Sequence, residues 1–415
     1  MKHIYLFVFC LISAKVSAQV SDIVSLGQGY ANQAWYSLQN GLINEAPKAE
    51  WDLAFSSSTF SSSIHVNSAN GTRLWTYPNG DISNWNDTWD ISGVDGWTEM
   101  FNSATTWEMG AFDINVDGSN QLDFGWGTYN FVTHVVTGDS LFVLQLSNGE
   151  YKKLKINELS AAGVYSFTYA DINGANETNV AINKTNFSGK NFGYYSIVNG
   201  QELDREPDSS EWDLLFTQYT DFIPTPYLVA GVLHNEGITV AQVDGVNSDI
   251  YEDYQSHNFN EDINELGYDW KTFGGMGFNI AENRVYFIQS GSNVWKLVFT
   301  GFGGSSNGNY EFTKELLGSV NIADEATEND YFISLFPNPS DGRNVNLLVG
   351  TQGTQKSSQL LIHDSFGKLV HQNNLTLNNG INTFAITSPM LAPGVYTVSI
   401  LFEDGNVGTT KMIVQ

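Results

Sequence analysis

Apolar and polar side chains alternate along most of this chain, in short runs broken by Gly, Asn and Asp. Phe142-Val143-Leu144-Gln145-Leu146 and Ile238-Thr239-Val240-Ala241-Gln242-Val243 are such runs. Asn79-Gly80-Asp81, Asn115-Val116-Asp117-Gly118, Asn148-Gly149 and Asp244-Gly245 are such breaks. A two-residue period turns one face of a strand towards a core, and Asn-Gly or Asp-Gly pairs supply the backbone of tight hairpin turns. The pattern predicts antiparallel sheet, with short helices considered only near 156–159 or 313–317.

The alternation repeats on a longer scale. Tyr36-Ser37-Leu38-Gln39-Asn40-Gly41 leads to Glu50-Trp51-Asp52-Leu53-Ala54-Phe55. Tyr195-Ser196-Ile197-Val198-Asn199-Gly200 leads to Glu211-Trp212-Asp213-Leu214-Leu215-Phe216. An alternating strand then ends in an aromatic-Lys step, Tyr151-Lys152 in one block and Trp295-Lys296 in the other. Gly163-Val164-Tyr165-Ser166-Phe167-Thr168 closes the first block as Gly308-Asn309-Tyr310-Glu311-Phe312-Thr313 closes the second. Landmarks in one order, twice, identify a tandem duplication of β-sheet units, residues 19–178 and 179–320.

The ends of the chain follow other patterns. Met1-Lys2-His3, an apolar run at 4–14 and the small residues Val16-Ser17-Ala18 predict a signal peptide over 1–18. No later stretch has the length of a transmembrane helix. The polar stretch 321–331, with Asp324, Glu325, Glu328 and Asp330, reads as an acidic linker, and all 11 Trp precede it. Residues 332–415 alternate again around Pro and Gly turns, as a small Ig-like β-sandwich does.

Four features of that last segment occur in order: the turn Pro337-Asn338-Pro339, the step Asp364-Ser365-Phe366-Gly367-Lys368, the strand Leu391-Ala392-Pro393-Gly394-Val395-Tyr396-Thr397-Val398, and the terminal strand with Lys411. Together they resemble the type A sorting domain of the type IX secretion system. The resemblance implies a partner in that machinery, passage of a folded cargo through the outer membrane, and a secreted or surface-attached product.

Composition narrows the cargo's chemistry. Aromatics make up 13% and charged residues 15% of 415 residues, which suits sheet surfaces. Cys10 is the one cysteine and lies in the signal peptide, so the mature chain has no disulfide and no thiolate site. Residues 19–330 carry 12 basic and 41 acidic side chains, a formal charge of −29. That field repels phosphate backbones, so nucleic acid is not an expected partner.

The repeats resemble the HmuY family of haem-binding proteins in the Trp-Asp-Leu-x-Phe strand, the step Trp270-Lys271-Thr272-Phe273-Gly274-Gly275, and the aromatic-Lys-Leu strand before Gly-x-Tyr-x-Phe-Thr. The expected fold is therefore mainly β: two tandem β-sheet-rich HmuY-like domains followed by the small Ig-like sorting sandwich. The resemblance implies haem held between two axial histidines. The cargo offers His65 and His134 in the first repeat and His234 and His257 in the second. Their positions do not agree between repeats, since His65 lies 10 residues beyond Phe55 and His234 lies 18 beyond Phe216. Each of the four is either a haem ligand or a hydrogen-bonded structural histidine.

Two further clusters are candidates. Asp113, Asn115 and Asp117 with Gly118 copy the first half of a calcium loop, although Phe124 occupies the place of its closing acid; a plain Asp/Asn turn explains them equally. Trp75, Trp85, Trp89 and Trp97 lie in a polar stretch, either exposed for stacking on a glycan or porphyrin, or buried as packing. No Gly-x-Ser-x-Gly elbow, His-Glu-x-x-His helix or phosphate loop occurs. Glu50/Asp52 and Glu211/Asp213 repeat together, as structural carboxylates would. A non-enzymatic exported binding protein is expected, for haem or a related porphyrin at the surface, with a glycan-binding adhesin on the same fold as the alternative.

Overall fold

The computed structural model describes residues 19–120, 122–319, 331–336, 338, 340, 345–351, 356–364, 367–378, 380–386, 391–403 and 407–414. The expected signal peptide and acidic linker lie outside these residues, Tyr331 excepted. The chain divides into two compact units, Met1–Asn321 and Ile322–Gln415. Among the described residues it is built mainly of strands, with no helix longer than four residues.

In the larger unit the strands run β1 (Val20–Ser25), β2 (Asn32–Ser37), β3 (Gly41–Pro47), β4 (Leu53–Ser56), β5 (Ile64–Val66), β6 (Arg73–Thr76), β7 (Glu99–Met100) and β8 (Gly127–Asn130). They continue as β9 (Val135–Gly138), β10 (Phe142–Gln145), β11 (Tyr151–Leu159), β12 (Val164–Asp171), β13 (Thr178–Asn183), β14 (Phe192–Ser196) and β15 (Gln201–Leu203). The second half adds β16 (Leu214–Phe222), β17 (Pro226–His234), β18 (Thr239–Asp244), β19 (Lys271–Phe273), β20 (Phe278–Ile280), β21 (Arg284–Ser290), β22 (Asn293–Phe302) and β23 (Asn309–Ser319).

These strands build two sandwiches. In the first, the sheet β13-β12-β11-β10-β6-β7, extended by β9 and β8, covers the sheet β15-β14-β4-β5. Between them lie Phe55, Ile64, Leu74, Phe112, Trp126, Phe142 and Phe167. In the second, the sheet β1-β23-β22-β21-β18 covers β17-β16-β2-β3, around Tyr36, Phe216, Val232, Trp270, Tyr286 and Phe312. Each such aromatic or aliphatic side chain stabilises its core by about 1.5–3 kcal/mol. The duplicated landmarks occupy matching places. Phe55 stacks on Phe167 at 5.2 Å between ring centroids, and Phe216 on Phe312 at 5.7 Å.

The sandwiches do not divide at residue 178, where two consecutive domains were expected. Strands β13 to β15 open the second repeat yet complete the first sandwich, through β13 on β12 and β14 on β4. Strands β1 to β3 open the chain yet complete the second sandwich, through β1 on β23 and β2 on β16. The first sandwich is thus continuous in sequence, and the second is closed by the beginning of the chain.

The repeated Trp-Asp step fastens each sandwich in one way. Asp52 Oδ2 accepts from the backbone N–H groups of Ile197 (2.7 Å) and Val198 (3.2 Å). Asp213 Oδ2 accepts from Leu38 N (2.6 Å), and its Oδ1 accepts from Ser290 Oγ (2.5 Å). Both carboxylates are buried and bind the Tyr-Ser turn that the repeat places next to them in space.

Both stretches considered as helix are strand. A β-bulge between Ile156 and Glu158 turns Ile156 and Leu159 to the same side despite a helical spacing of three. In β23, Leu316 packs into the main core while Leu317 packs into a separate layer on the other side.

The smaller unit is a sandwich of a three-stranded sheet and a four-stranded sheet around Leu347, Val349, Ile362, Val398, Ile400 and Met412. Asn338, from the Pro-Asn-Pro turn, clamps the terminal strand. Its Nδ2 donates to the Lys411 carbonyl (2.7 Å) and its Oδ1 accepts from Ile413 N (2.7 Å).

Candidate functional site

The tryptophan cluster is packing. Trp75, Trp85 and Trp89 are buried, at most 4% exposed, and Trp97 is half-buried. Tyr77 stacks on Trp89 at 4.3 Å, and the layer covers the outer face of β6 and β10. Lys153 lies beneath it, donating from Nζ to the Trp85 carbonyl (2.7 Å), with the Trp85 ring 4.5 Å away. The second sandwich carries the same device, Lys296 donating to the Asp249 carbonyl (3.3 Å) under its own covering loop. By register the partner of Lys296 is Lys153, one residue beyond the Lys152 that the sequence pairing suggests. Trp75, Trp85 and Trp89 thus offer no exposed face to a sugar or porphyrin.

The proposed calcium loop does not converge. Asp113 is buried and turned inward, where Oδ2 accepts from Gly110 N (2.7 Å) and Ile64 N (3.3 Å). Burial pushes its carboxyl up to about 8. Asn115 instead donates to Thr76 Oγ1, and Asp117 Oδ1 receives Ser119 in a local turn. Among the described residues no group of three or more His, Cys, Asp or Glu is arranged to hold a metal ion.

The histidines are dispersed. His134, at φ 56°, is an exposed turn residue whose Nδ1 lies 2.7 Å from Tyr129 Oη. His257 Nε2 lies 2.8 Å from Tyr251 Oη. His65 is buried and its Nε2 meets the Trp107 carbonyl at 2.9 Å; burial lowers its pKa to about 4, so the ring is neutral. His234 is buried with Nδ1 and Nε2 each 2.9 Å from a carbonyl, of Asn235 and Asp262. Burial lowers its pKa too, and the two carbonyls act in the opposite direction. Iron ligation through Nε2 of His65, or through either nitrogen of His234, requires a carbonyl bond to break.

These two histidines do hold something in place. Trp107 receives His65 at its carbonyl and donates from Nε1 to the His234 carbonyl (3.0 Å). Ile263 N donates to the Thr105 carbonyl (3.0 Å). The loop 101–109 of the first sandwich is thereby pinned across the β16–β17 hairpin of the second, over Tyr219, Val229, Leu233 and Ile263.

That hairpin departs from its repeat. Phe55 pairs with Ile64, and Phe216 with Val232, so the second hairpin is seven residues longer. The extra length accounts for seven of the eight residues by which the histidine spacings differ; by register His65 corresponds to Leu233, and His234 stands one residue farther on. It continues the ladder to Phe222 opposite Pro226 and ends in a tip of Phe222, Ile223, Pro224, Pro226, Tyr227 and Leu228, all exposed. Phe222 is 54% and Tyr227 64% exposed. Between this tip and the pinned loop runs an open groove of 730 Å3, walled by Phe101, Met109, Ile114, Phe222 and Pro226. Phe101 and Phe222 meet edge to face at 5.7 Å. At the rim, Glu99 is paired with Arg73 (2.6 Å), and Asp221 Oδ1 accepts only its neighbour's backbone, Phe222 N (2.7 Å). No Lys or Arg lines the groove. Sequence reading passed over this element. Its signal is the apolar run 222–228 with two prolines, in one copy of a repeat whose other copy closes without it.

Residues 334–415 match the family of secretion system C-terminal sorting domains. No curated protein sequence matches the chain. Among solved structures, a putative beta-galactosidase from Bacteroides fragilis is 12% identical with a TM-score of 0.16, over 49% of this chain and 33% of that one. The dimeric latent PorU from Porphyromonas gingivalis is 10% identical with a TM-score of 0.18, over 95% and 34%. The chain thus spans about a third of either protein's length, and scores this low establish no shared fold. The HmuY resemblance is extended by none of these matches and stands on the sequence pattern alone. The C-terminal unit is a sorting domain, and the protein is one exported through the type IX secretion route.

Proposed function

We propose that the cargo is a non-enzymatic binding protein which, outside the cell, holds an apolar ligand or partner in the groove beside the β16–β17 hairpin. One observation carries this reading. The first repeat closes the equivalent hairpin without the seven extra residues, so folding does not require them, yet they expose six apolar side chains. An exposed apolar cluster that the fold does not need is the usual mark of a contact surface. Pinning of the opposite wall by His65, Trp107 and Ile263 supports it, because a preformed groove loses less entropy on binding. Surface adhesion fits the same site, through Phe222 and Tyr227 in place of the tryptophans. Haem capture through Nε2 of His65 or through His234 would need a carbonyl partner to be given up, so the reading rests on the hairpin.

Nile red, a neutral dye that brightens in apolar surroundings, tests it on the mature protein. The wild type is expected to enhance and blue-shift the dye's emission. Phe222→Ser with Tyr227→Ser, both at exposed positions, is expected to weaken binding by about tenfold, equivalent to about 1.4 kcal/mol. Equal dye binding by both proteins refutes the site.

A further inference from the structure

We infer that the natural occupant of the groove is an extended polypeptide segment that carries basic residues among apolar ones; this rests on the binding reading above and names the partner's chemistry. Four features of the site point to it. First, the groove is an open trench bounded along one side by a hairpin and along the other by a loop, a shape that admits a chain passing through. Second, Pro224 and Pro226 lack backbone N–H groups at the tip, and Lys271 Nζ already occupies the Ala230 carbonyl on β17 (2.6 Å). Farther along, Val232 and Gly267 exchange backbone bonds. A partner strand therefore finds little free edge to extend, and recognition falls to side chains.

Third, the charge left unpaired at the groove is acidic. Among the described residues Asp221 has no cationic partner, and no Lys or Arg lines the walls. Beyond the groove, the segment 260–269, which meets β17 at Val232 and His234, carries Glu261, Asp262, Glu265 and Asp269, of which Asp269 alone is bound by an arginine, Arg284. Fourth, the exposed rings of Phe222 and Tyr227 stand beside Asp221, Phe222 as its chain neighbour and Tyr227 as its partner across the hairpin. A lysine or arginine there gains ring and carboxylate contacts together. A second copy of this acidic chain would be repelled, since residues 19–330 hold a formal charge of −29.

The test uses two fluorescein-labelled peptides, three repeats of Lys-Phe-Thr-Leu and three of Glu-Phe-Thr-Leu, titrated with the mature protein and followed by anisotropy. The basic peptide is expected to bind at least about tenfold more tightly than the acidic one at low salt. Phe222→Ser with Tyr227→Ser is expected to weaken the basic peptide by about tenfold, and Asp221→Asn to narrow the preference by about threefold. Tryptophan emission confirms that the variants fold. Equal affinity for both peptides overturns the inference. So does undiminished binding of the basic peptide by the paired serine variant, since attraction would then belong to the acidic surface at large. In either case Nile red binding separates the outcomes: kept, it leaves the groove a site for uncharged apolar ligands; lost, the binding reading itself fails.

Discussion

Replacing Asp213 by Ala tests how the second sandwich is closed. The carboxylate is buried, accepts from Leu38 N and Ser290 Oγ, and so ties the first strands of the chain to the second repeat. Hydrogen bonds to an ionised group contribute about 1.5–3 kcal/mol each. The variant also leaves the Leu38 N–H buried without a partner, at a cost of about 1–3 kcal/mol, while the Ser290 hydroxyl turns to another acceptor. The expected loss is about 3–5 kcal/mol in total. All 11 Trp lie in the larger unit, so urea unfolding followed by Trp emission reports on it without the tail. With a slope of roughly 3 kcal/mol per molar urea, the midpoint falls by about 1–1.7 M. Hydrogen exchange should rise over residues 32–38 in Asp213→Ala. Asp52→Ala has similar chemistry inside the continuous sandwich, and should be as destabilising while leaving 32–38 protected. A midpoint shift below about 0.3 M, or equal exchange at 32–38 in the two variants, would refute the closure argument.

Two other variants probe the covering layer and the junction. Lys153→Met removes the bond to the Trp85 carbonyl but keeps the stem beneath the rings, so limited proteolysis between residues 77 and 100 should quicken while stability falls by only about 1–2 kcal/mol; unchanged cleavage would count against the tether. His65 is held neutral with a pKa of about 4, against 6.5 unfolded, so its contribution is present above pH 6.5 and is lost as pH falls from 6.5 towards 4, by up to about 3 kcal/mol. His65→Leu installs the residue type that Leu233 supplies at the matching position, and stability of the variant should fall less than that of wild type between pH 7.5 and 4.5. Parallel pH curves would show that His65 does not titrate as argued.

Much of the architecture was legible because it is written in side-chain periodicity. Alternation marked the strands, the repeated Trp-Asp-Leu-x-Phe and Gly-x-Tyr-x-Phe-Thr runs marked equivalent core positions, and the polar stretch near residue 325 lies close to the division between units at 321 and 322. What could not be read is pairing. A repeat shows that Tyr36 and Tyr195 are equivalent, but not that Tyr36 lies against Leu214 while Tyr195 lies against Leu53. The bulge after Ile156 imitated a helical spacing, and an aromatic before a lysine concealed the one-residue offset that matches Lys153 with Lys296. At the candidate site, the unequal histidine spacing combines a hairpin seven residues longer with a histidine one position farther along the strand, which periodicity alone does not separate. Tryptophans in polar sequence left exposure and burial equally open, because the residues between them, rather than their own rings, face solvent.

Strand β1 lies antiparallel to β23, with Val20 opposite Lys314, so the two ends of the larger unit meet side by side. A ribosome or translocon delivering this chain from its first residue presents β1, whose neighbour arrives roughly 300 residues later, and the β2–β3 hairpin, whose neighbour β16 arrives roughly 180 residues later. Completion of the passenger is therefore reserved for nearly full-length chains, those in which the sorting tail follows next. A truncated product would keep its last sandwich open, and a circular permutant that joins residue 319 to residue 19 and opens the chain near 206–210 would make both sandwiches continuous.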